Sequence, residues 1–241
     1  MKFVAFDLET TGTQPNENAI VEIGAVRFCG SEPTEGFGKL INPGISIPED
    51  ASRVNGITDE MVKEAPQIDS ILSEFADFCG DLPLVAHNAS FDFKFLLSDV
   101  KRLKGRAPVG PVLDTLSLAR KVFPGMANYK LWTLVRHFDF PSGTFHRAEE
   151  DSMYCGLLFA KIVETIELRG EEASIGRLAA LMGREAFQFK AFTLCFKPLV
   201  TLFHCVLGII LGIISSGHFF SSALLFAAYT LKFIPLALIV L

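Results

Sequence analysis

The chain has 241 residues, half of them hydrophobic, and a formal net charge of −5. That balance excludes a surface that grips polyanions by bulk charge, so a nucleic-acid partner must be held locally, by a few cations, metal ions and backbone amides. Five cysteines (Cys29, Cys79, Cys155, Cys195, Cys205) are odd in number and lack metal-ligand spacing, which argues against a disulfide framework and for a reducing, cytoplasmic setting.

The N-terminus shows no signal-peptide pattern and enters a strand at once: Phe3-Val4-Ala5-Phe6 is a β-forming apolar run. Asp7 and Glu9 follow it two residues apart, so on a strand they point to the same face. Paired carboxylates on a core strand repel each other and resist desolvation, and are tolerated mainly where cations neutralise them. Thr10-Thr11-Gly12 then turns the chain. Residues Ala19–Phe28 and Gly36–Ile41 predict a second and a third strand, joined closely enough for an antiparallel meander. Pro48-Glu49-Asp50 predicts a polar loop, and Thr58 before Asp59 and Glu60 a helix N-cap. Asp69 or Ser70 is expected to cap a helix that puts Ile71, Leu72, Phe75 and Phe78 on one face and stops at Gly80.

Leu84-Val85-Ala86-His87 predicts a short buried strand, followed by a helix with Phe91, Phe95 and Val100 on one side. Val112-Leu113 leads into Asp114 and the helix Leu116–Val122, and Leu131, Leu134, Val135 and Phe138 mark another helix. His146-Arg147-Ala148-Glu149-Glu150-Asp151 opens a long helix to about Leu168. A meander followed by β-α-β-α predicts an α/β fold, a mixed five-stranded sheet with helices on its faces.

Asp92 starts the helix after the fourth strand, at the carboxyl-end edge where ligands collect in open α/β sheets. If that strand neighbours the first, Asp92 faces Asp7 and Glu9. His146 and Asp151 are about 140° apart if both are helical, so they share a site more easily with His146 in the preceding loop. His87 and His137 carry no such signal: one ends a core strand and the other lies near a helix end. Four carboxylates offer an all-oxygen ligand set, suited to two Mg2+ or Mn2+ ions, and a histidine titrates where it can deprotonate water. The implied reaction is metal-dependent phosphodiester hydrolysis.

Three stretches carry a resemblance: Phe6-Asp7-Leu8-Glu9-Thr10-Thr11-Gly12, His87-Asn88-Ala89-Ser90-Phe91-Asp92, and His146–Asp151. They resemble the three motifs of the DEDDh 3′–5′ exonuclease family, and most of all its DnaQ-type proofreading group, which includes the epsilon subunit of bacterial DNA polymerase III. Ile41–Gly44, Gly56–Met61, Asp114–Arg120 and Tyr129–Leu131 resemble it too. The resemblance implies an RNase H-like fold and release of mononucleotides from DNA 3′ ends, in proofreading or repair. It implies that Asp7, Glu9, Asp92 and Asp151 hold two ions and that His146 is the general base. Thr10, Thr11, Gly12, Val54, Asn55 and Phe91 would meet the terminal nucleotide, and a polymerase catalytic subunit would be a partner. Two alternatives stand beside this reading: an RNA-trimming, oligoribonuclease-like enzyme, and a membrane-held nucleic-acid-binding module with little turnover.

All 27 Asp and Glu residues precede Ala186, and beyond it the only Lys or Arg residues are Lys190, Lys197 and Lys232. The boundary is therefore expected near residue 185, with an exonuclease domain over 1–185 and a hydrophobic tail over 186–241. Phe196–Ile214 and Phe219–Leu241, separated by Ser215–His218, are each near the ~20 residues of a membrane span. Lys190 and Lys197 favour a membrane hairpin, and His204 and Lys232 oppose one. A shifted reading frame after about Glu185 and a partner-docking segment are the other two readings of the tail.

Overall fold

The computed structural model describes residues 1–141, 147–183 and 185–189. His146 and the tail from residue 190 lie outside them, so the expectations placed there concern residues that are not described. Three consecutive strands, β1 (Lys2–Thr10), β2 (Ile20–Cys29) and β3 (Glu32–Leu40), form the antiparallel meander. Three helices follow: α1 (Glu49–Asn55), α2 (Asp59–Val62) and α3 (Ile68–Cys79). Next come β4 (Leu84–Ala86), α4 (Ser90–Leu103), β5 (Val112–Asp114), α5 (Thr115–Val122), α6 (Leu131–His137), α7 (Ala148–Leu168) and α8 (Ile175–Met182).

The sheet order is β3-β2-β1-β4-β5, with β4 parallel to β1 and β5 parallel to β4. This is the mixed, helix-flanked sheet that the element order predicts, and the RNase H-like fold that the resemblance implies. Alternation along β1 divides the core. Val4, Phe6 and Leu8 pack with Ile71, Phe75, Phe95 and Leu96 of α3 and α4. Phe3 and Ala5 face the other side, with Leu118, Leu158 and Phe159 of α5 and α7. Asp7 and Glu9 continue this second face, so the side chains that leave the core at the end of β1 emerge beneath α7.

Some elements differ from the sequence expectation. Glu49 and Asp50 open α1 rather than a loop, with Pro48 at the N-cap position and Gly56 closing the helix in the left-handed region at φ 70°. Acids in a first turn suit the helix dipole, but seven residues are too few to show an apolar period. Helix α3 begins at Ile68 behind Gln67, without a side-chain cap, and the Ser70 hydroxyl donates back to the Gln67 carbonyl at 2.9 Å. Thr58 is the N-cap residue of α2, but its side chain makes no capping bond. Strand β3 starts at Glu32, four residues early, because this largely exposed edge strand carries little apolar alternation. Helix α8 was not expected, although Ser174 caps it and Gly183 ends it at φ 71°.

The body Met1–Phe189 is one compact unit and runs past residue 185. Phe187 bridges Val112 on β5, N to O at 2.9 Å and 3.1 Å. The Phe187 and Phe189 rings lie 5.0 Å and 4.7 Å from that of Phe93. Among the described residues, no helix is long and apolar enough to cross a membrane.

Helix α7 lies close against β2 because two glycines leave room. A Cβ on Gly24 would overlap the Ala148–Glu149 peptide, and one on Gly156 would overlap the Phe28 ring. The Ser152 hydroxyl contacts the Gly24 carbonyl at 2.9 Å and the Ala148 carbonyl at 2.6 Å. Gly24→Ala is therefore expected to destabilise the protein by about 1–3 kcal/mol in urea unfolding. Gly176→Ala, where no atom stands within 4 Å of the added carbon, should leave the midpoint unchanged or raise it.

Candidate active site

The parallel strands end along one edge of the sheet, and the acids gather there. Asp7 stands opposite Gly24 and Glu9 opposite Glu22 in the β1–β2 register. Asp151 comes from the first turn of α7, its amide bonded to the Arg147 carbonyl at 2.9 Å. Asp7, Glu9 and Asp151 each present a carboxylate oxygen, and these oxygens lie within 4.8 Å of one another. Among the described residues, no histidine or cysteine joins the cluster. An all-carboxylate set of this size fits a hard divalent cation better than zinc.

Asp92 lies just outside this triad. Asn88 and Ala89 turn the chain from β4 into α4, with Asn88 at φ 71°, a conformation asparagine tolerates better than most residues. Asp114 at the end of β5 clamps the turn: one carboxylate oxygen accepts the amides of Asn88 at 3.0 Å and Ala89 at 3.3 Å. It also caps α5 through the Leu116 amide, and its other oxygen accepts the Ser117 hydroxyl at 2.7 Å. Asp92 is buried, with the backbone amides of Asp92 and Leu8 favouring its charged form. The acid of α4 is thereby tied to β1 between Asp7 and Glu9.

The electrostatics express crowding. Burial, then Asp92, Glu9, Asp151 and Glu22, hold the Asp7 carboxyl well above the usual carboxylate range. Burial first, and then Asp151, Glu22 and Asp92, push Glu9 up to about 8. Burial raises Asp92 to about 7, against the pull of the Asp92 and Leu8 backbone amides. Like charges and low polarity both favour the protonated form, and a bound cation reverses that preference.

The other predicted contact residues divide by what they touch. The Thr10 hydroxyl donates to the Gly12 carbonyl at 2.6 Å, and the Thr11 hydroxyl accepts the Ala19 amide at 3.0 Å, so both threonine side chains brace the turn. A Cβ on Gly12 would strike the Asn18 side chain, which explains the glycine. Asn55 is buried, and its amide reaches the Thr10 carbonyl at 3.3 Å and the Glu9 carboxylate, so its side chain orients the site rather than standing open to a ligand. Its neighbour Val54 is exposed. Phe91 is partly buried, its ring 5.0 Å from that of Phe95. His87 is a structural residue: its Nε2 donates to the Tyr129 carbonyl at 2.8 Å, its Nδ1 meets the Thr115 hydroxyl at 3.0 Å, and burial lowers its pKa.

Two residues at the rim carry no site role in the sequence reading. Glu22 is almost fully buried beside Glu9. It bonds Arg147 through Nη2 at 2.6 Å and Nε at 3.1 Å, and accepts the Ala148 amide at 3.1 Å. The sequence signal was an acid within the apolar run Ile20-Val21-Glu22-Ile23.

The model of the exonuclease family (RNase T) matches residues 4–159. This chain belongs to the exonuclease family. The chain is 37% identical over 179 residues to the DNA polymerase III subunit epsilon of Aquifex aeolicus, covering 73% of this chain and 89% of that subunit. It is 38% identical over 184 residues to the PolC-type DNA polymerase III of Caldanaerobacter subterraneus, covering 76% of this chain but only 13% of that polymerase. Among solved structures, exonuclease X in complex with 5′-overhanging duplex DNA superposes with a TM-score of 0.60 at 27% identity, over 75% of this chain and 99% of that one. The chain thus carries a 3′–5′ exonuclease domain of the DnaQ type, and spans most of an epsilon subunit but about an eighth of a PolC-type polymerase.

The raised carboxyls set a pH dependence. Their folded pKa values exceed the unfolded ones, so the stability they contribute is fully present below about pH 4 and is lost as pH rises through 7 to 8. In EDTA, the melting temperature is expected to fall between pH 5 and 8. With Mn2+ the fall should shrink or reverse, because cations bind the ionised form. A metal-induced increment that does not grow with pH would contradict the assignment.

Proposed function

We propose that the domain trims DNA from its 3′ end, releasing nucleoside monophosphates, as a proofreading or repair exonuclease that uses two Mg2+ or Mn2+ ions. The observation that carries this reading is the meeting of Asp7, Glu9 and Asp151 within 4.8 Å, with buried Asp92 adjoining them. Asp7, Glu9, Asp92 and Asp151 would hold the ions. Such ions stabilise the attacking and leaving oxygens of a phosphodiester. His146 accepts the proton of the attacking water. Val54, exposed on α1, packs against the last base, and the backbone of the Thr10–Gly12 turn lies along the terminal nucleotide. Contacts of this kind read the phosphate, the sugar and a base face, and need no sequence code.

The likeness to epsilon subunits and PolC supports a polymerase catalytic subunit as the partner, working in the cytoplasm. The acidic net charge fits local capture of a strand end rather than coating of a duplex.

The test is the full chain with Mg2+ and 5′-labelled single-stranded DNA or RNA. Mononucleotides should be released from DNA, and EDTA should stop the reaction. His146→Ala should lower kcat by about 10²–10⁴-fold, the range for loss of a general base. Asp7→Ala should lose at least as much. Turnover by Asp7→Ala at the parent rate would remove the metal assignment, and faster release from RNA would reassign the substrate.

A further inference from the structure

We propose that Glu22 and Arg147 form a positioning pair that sets the metal affinity of the site by fixing where α7 begins; this rests on the two-ion reading above. Glu22 is in register with Glu9, two residues before Gly24, which is opposite Asp7. It is therefore the one further acid of β2 on the face of the triad. Its carboxylate is only 3% exposed and is fully used by protein donors: Nη2 of Arg147 at 2.6 Å, Nε of Arg147 at 3.1 Å and 3.3 Å, and the Ala148 amide at 3.1 Å. A carboxylate so engaged holds a helix start instead of joining the ligands.

The geometry passes directly to the site. Arg147 is the N-cap residue of α7, and Ala148 is its first residue. The Arg147 carbonyl accepts the Asp151 amide at 2.9 Å, so one helical turn separates the clamp from a proposed metal ligand. Arg147 is also the sequence neighbour of His146. The planar guanidinium meets one carboxylate with two nitrogens, which defines an orientation as well as a distance; an ammonium would supply charge alone. Close packing of Gly24 on the Ala148–Glu149 peptide limits translation of α7, and the Glu22 clamp limits its rotation and register.

Arg147 is half exposed, so its replacement leaves the core intact. The experiment measures Mn2+ binding to the full chain by calorimetry, together with Mg2+-dependent kcat and KM on single-stranded DNA, for the parent, Arg147→Lys, Arg147→Ala and Glu22→Gln. Arg147→Lys should keep the metal-free melting temperature within a few degrees of the parent. Its Mn2+ affinity should fall about 10-fold or more, as for other groups that orient ligands, with kcat lowered and KM for DNA little changed. Arg147→Ala should lose more than Arg147→Lys. Parent-like Mn2+ affinity and kcat in both Arg147 variants would overturn the proposal, as would a loss confined to KM, which would make Arg147 a strand contact. A folded parent that binds no Mn2+ and releases no nucleotide would sink the two-ion reading itself. Glu22→Gln separates charge from geometry: it keeps the shape and one acceptor oxygen, and is expected to weaken Mn2+ binding although it removes a neighbouring negative charge. Tighter binding in Glu22→Gln would show that Glu22 acts only as a repelling charge, and would overturn the pair's positioning role.

Discussion

Repulsion among crowded, partly buried carboxylates is the constraint around which this fold is arranged. Asp7 and Glu9 sit on the most central strand, Asp92 comes buried from the first turn of α4, and Asp151 arrives from α7. Burial first, and then the neighbouring acids, raise the cost of ionising Asp7 and Glu9, as their elevated pKa values express. Such a cluster persists only if the backbone beneath it cannot relax to separate the charges. The surrounding polar bonds meet that demand: Asp114 locks the turn before α4, Asn55 ties α1 to the end of β1, and Glu22 takes hold of the start of α7.

These clamps share a design. Three of the four acids of the site, Glu9, Asp92 and Asp151, have a companion on another element that bonds backbone amides or carbonyls. Because those bonds are made by buried groups in a region of low polarity, each is costly to leave unmade, so they specify position more than they add net stability. Small residues do the complementary work. Gly24 and Gly156 bring a helix axis nearer to the sheet than ordinary side chains permit, so Asp151 arrives at ligand distance of strand residues.

Much of this was legible from residue patterns, and the reasons are local. The Phe3–Phe6 run followed by acids at spacing two could be read because strand alternation is strict, and the meander because its links are short. Asp92 was legible through its place after a short apolar strand. Harder to read were features whose signal lies in three dimensions. Glu22 looks like one acid in an apolar strand until the register sets it beside Glu9. Asn55 resembles a ligand contact by motif position, yet its amide is occupied by Thr10 and Glu9. Helix α1 is too short to show a period, and β3 too exposed to show alternation.

The segment 186–189 gives a last consequence. It is poor in charge and falls on the tail side of the compositional break, yet Phe187 adds a rung to β5 and Phe189 is buried against Phe93. Phe93 is joined by one peptide bond to Asp92. A fragment cut at the last acidic residue would thus uncover an aromatic ring directly behind a proposed ligand. The compositional seam and the mechanical seam of this molecule are different places, and catalytic competence is expected to follow the second.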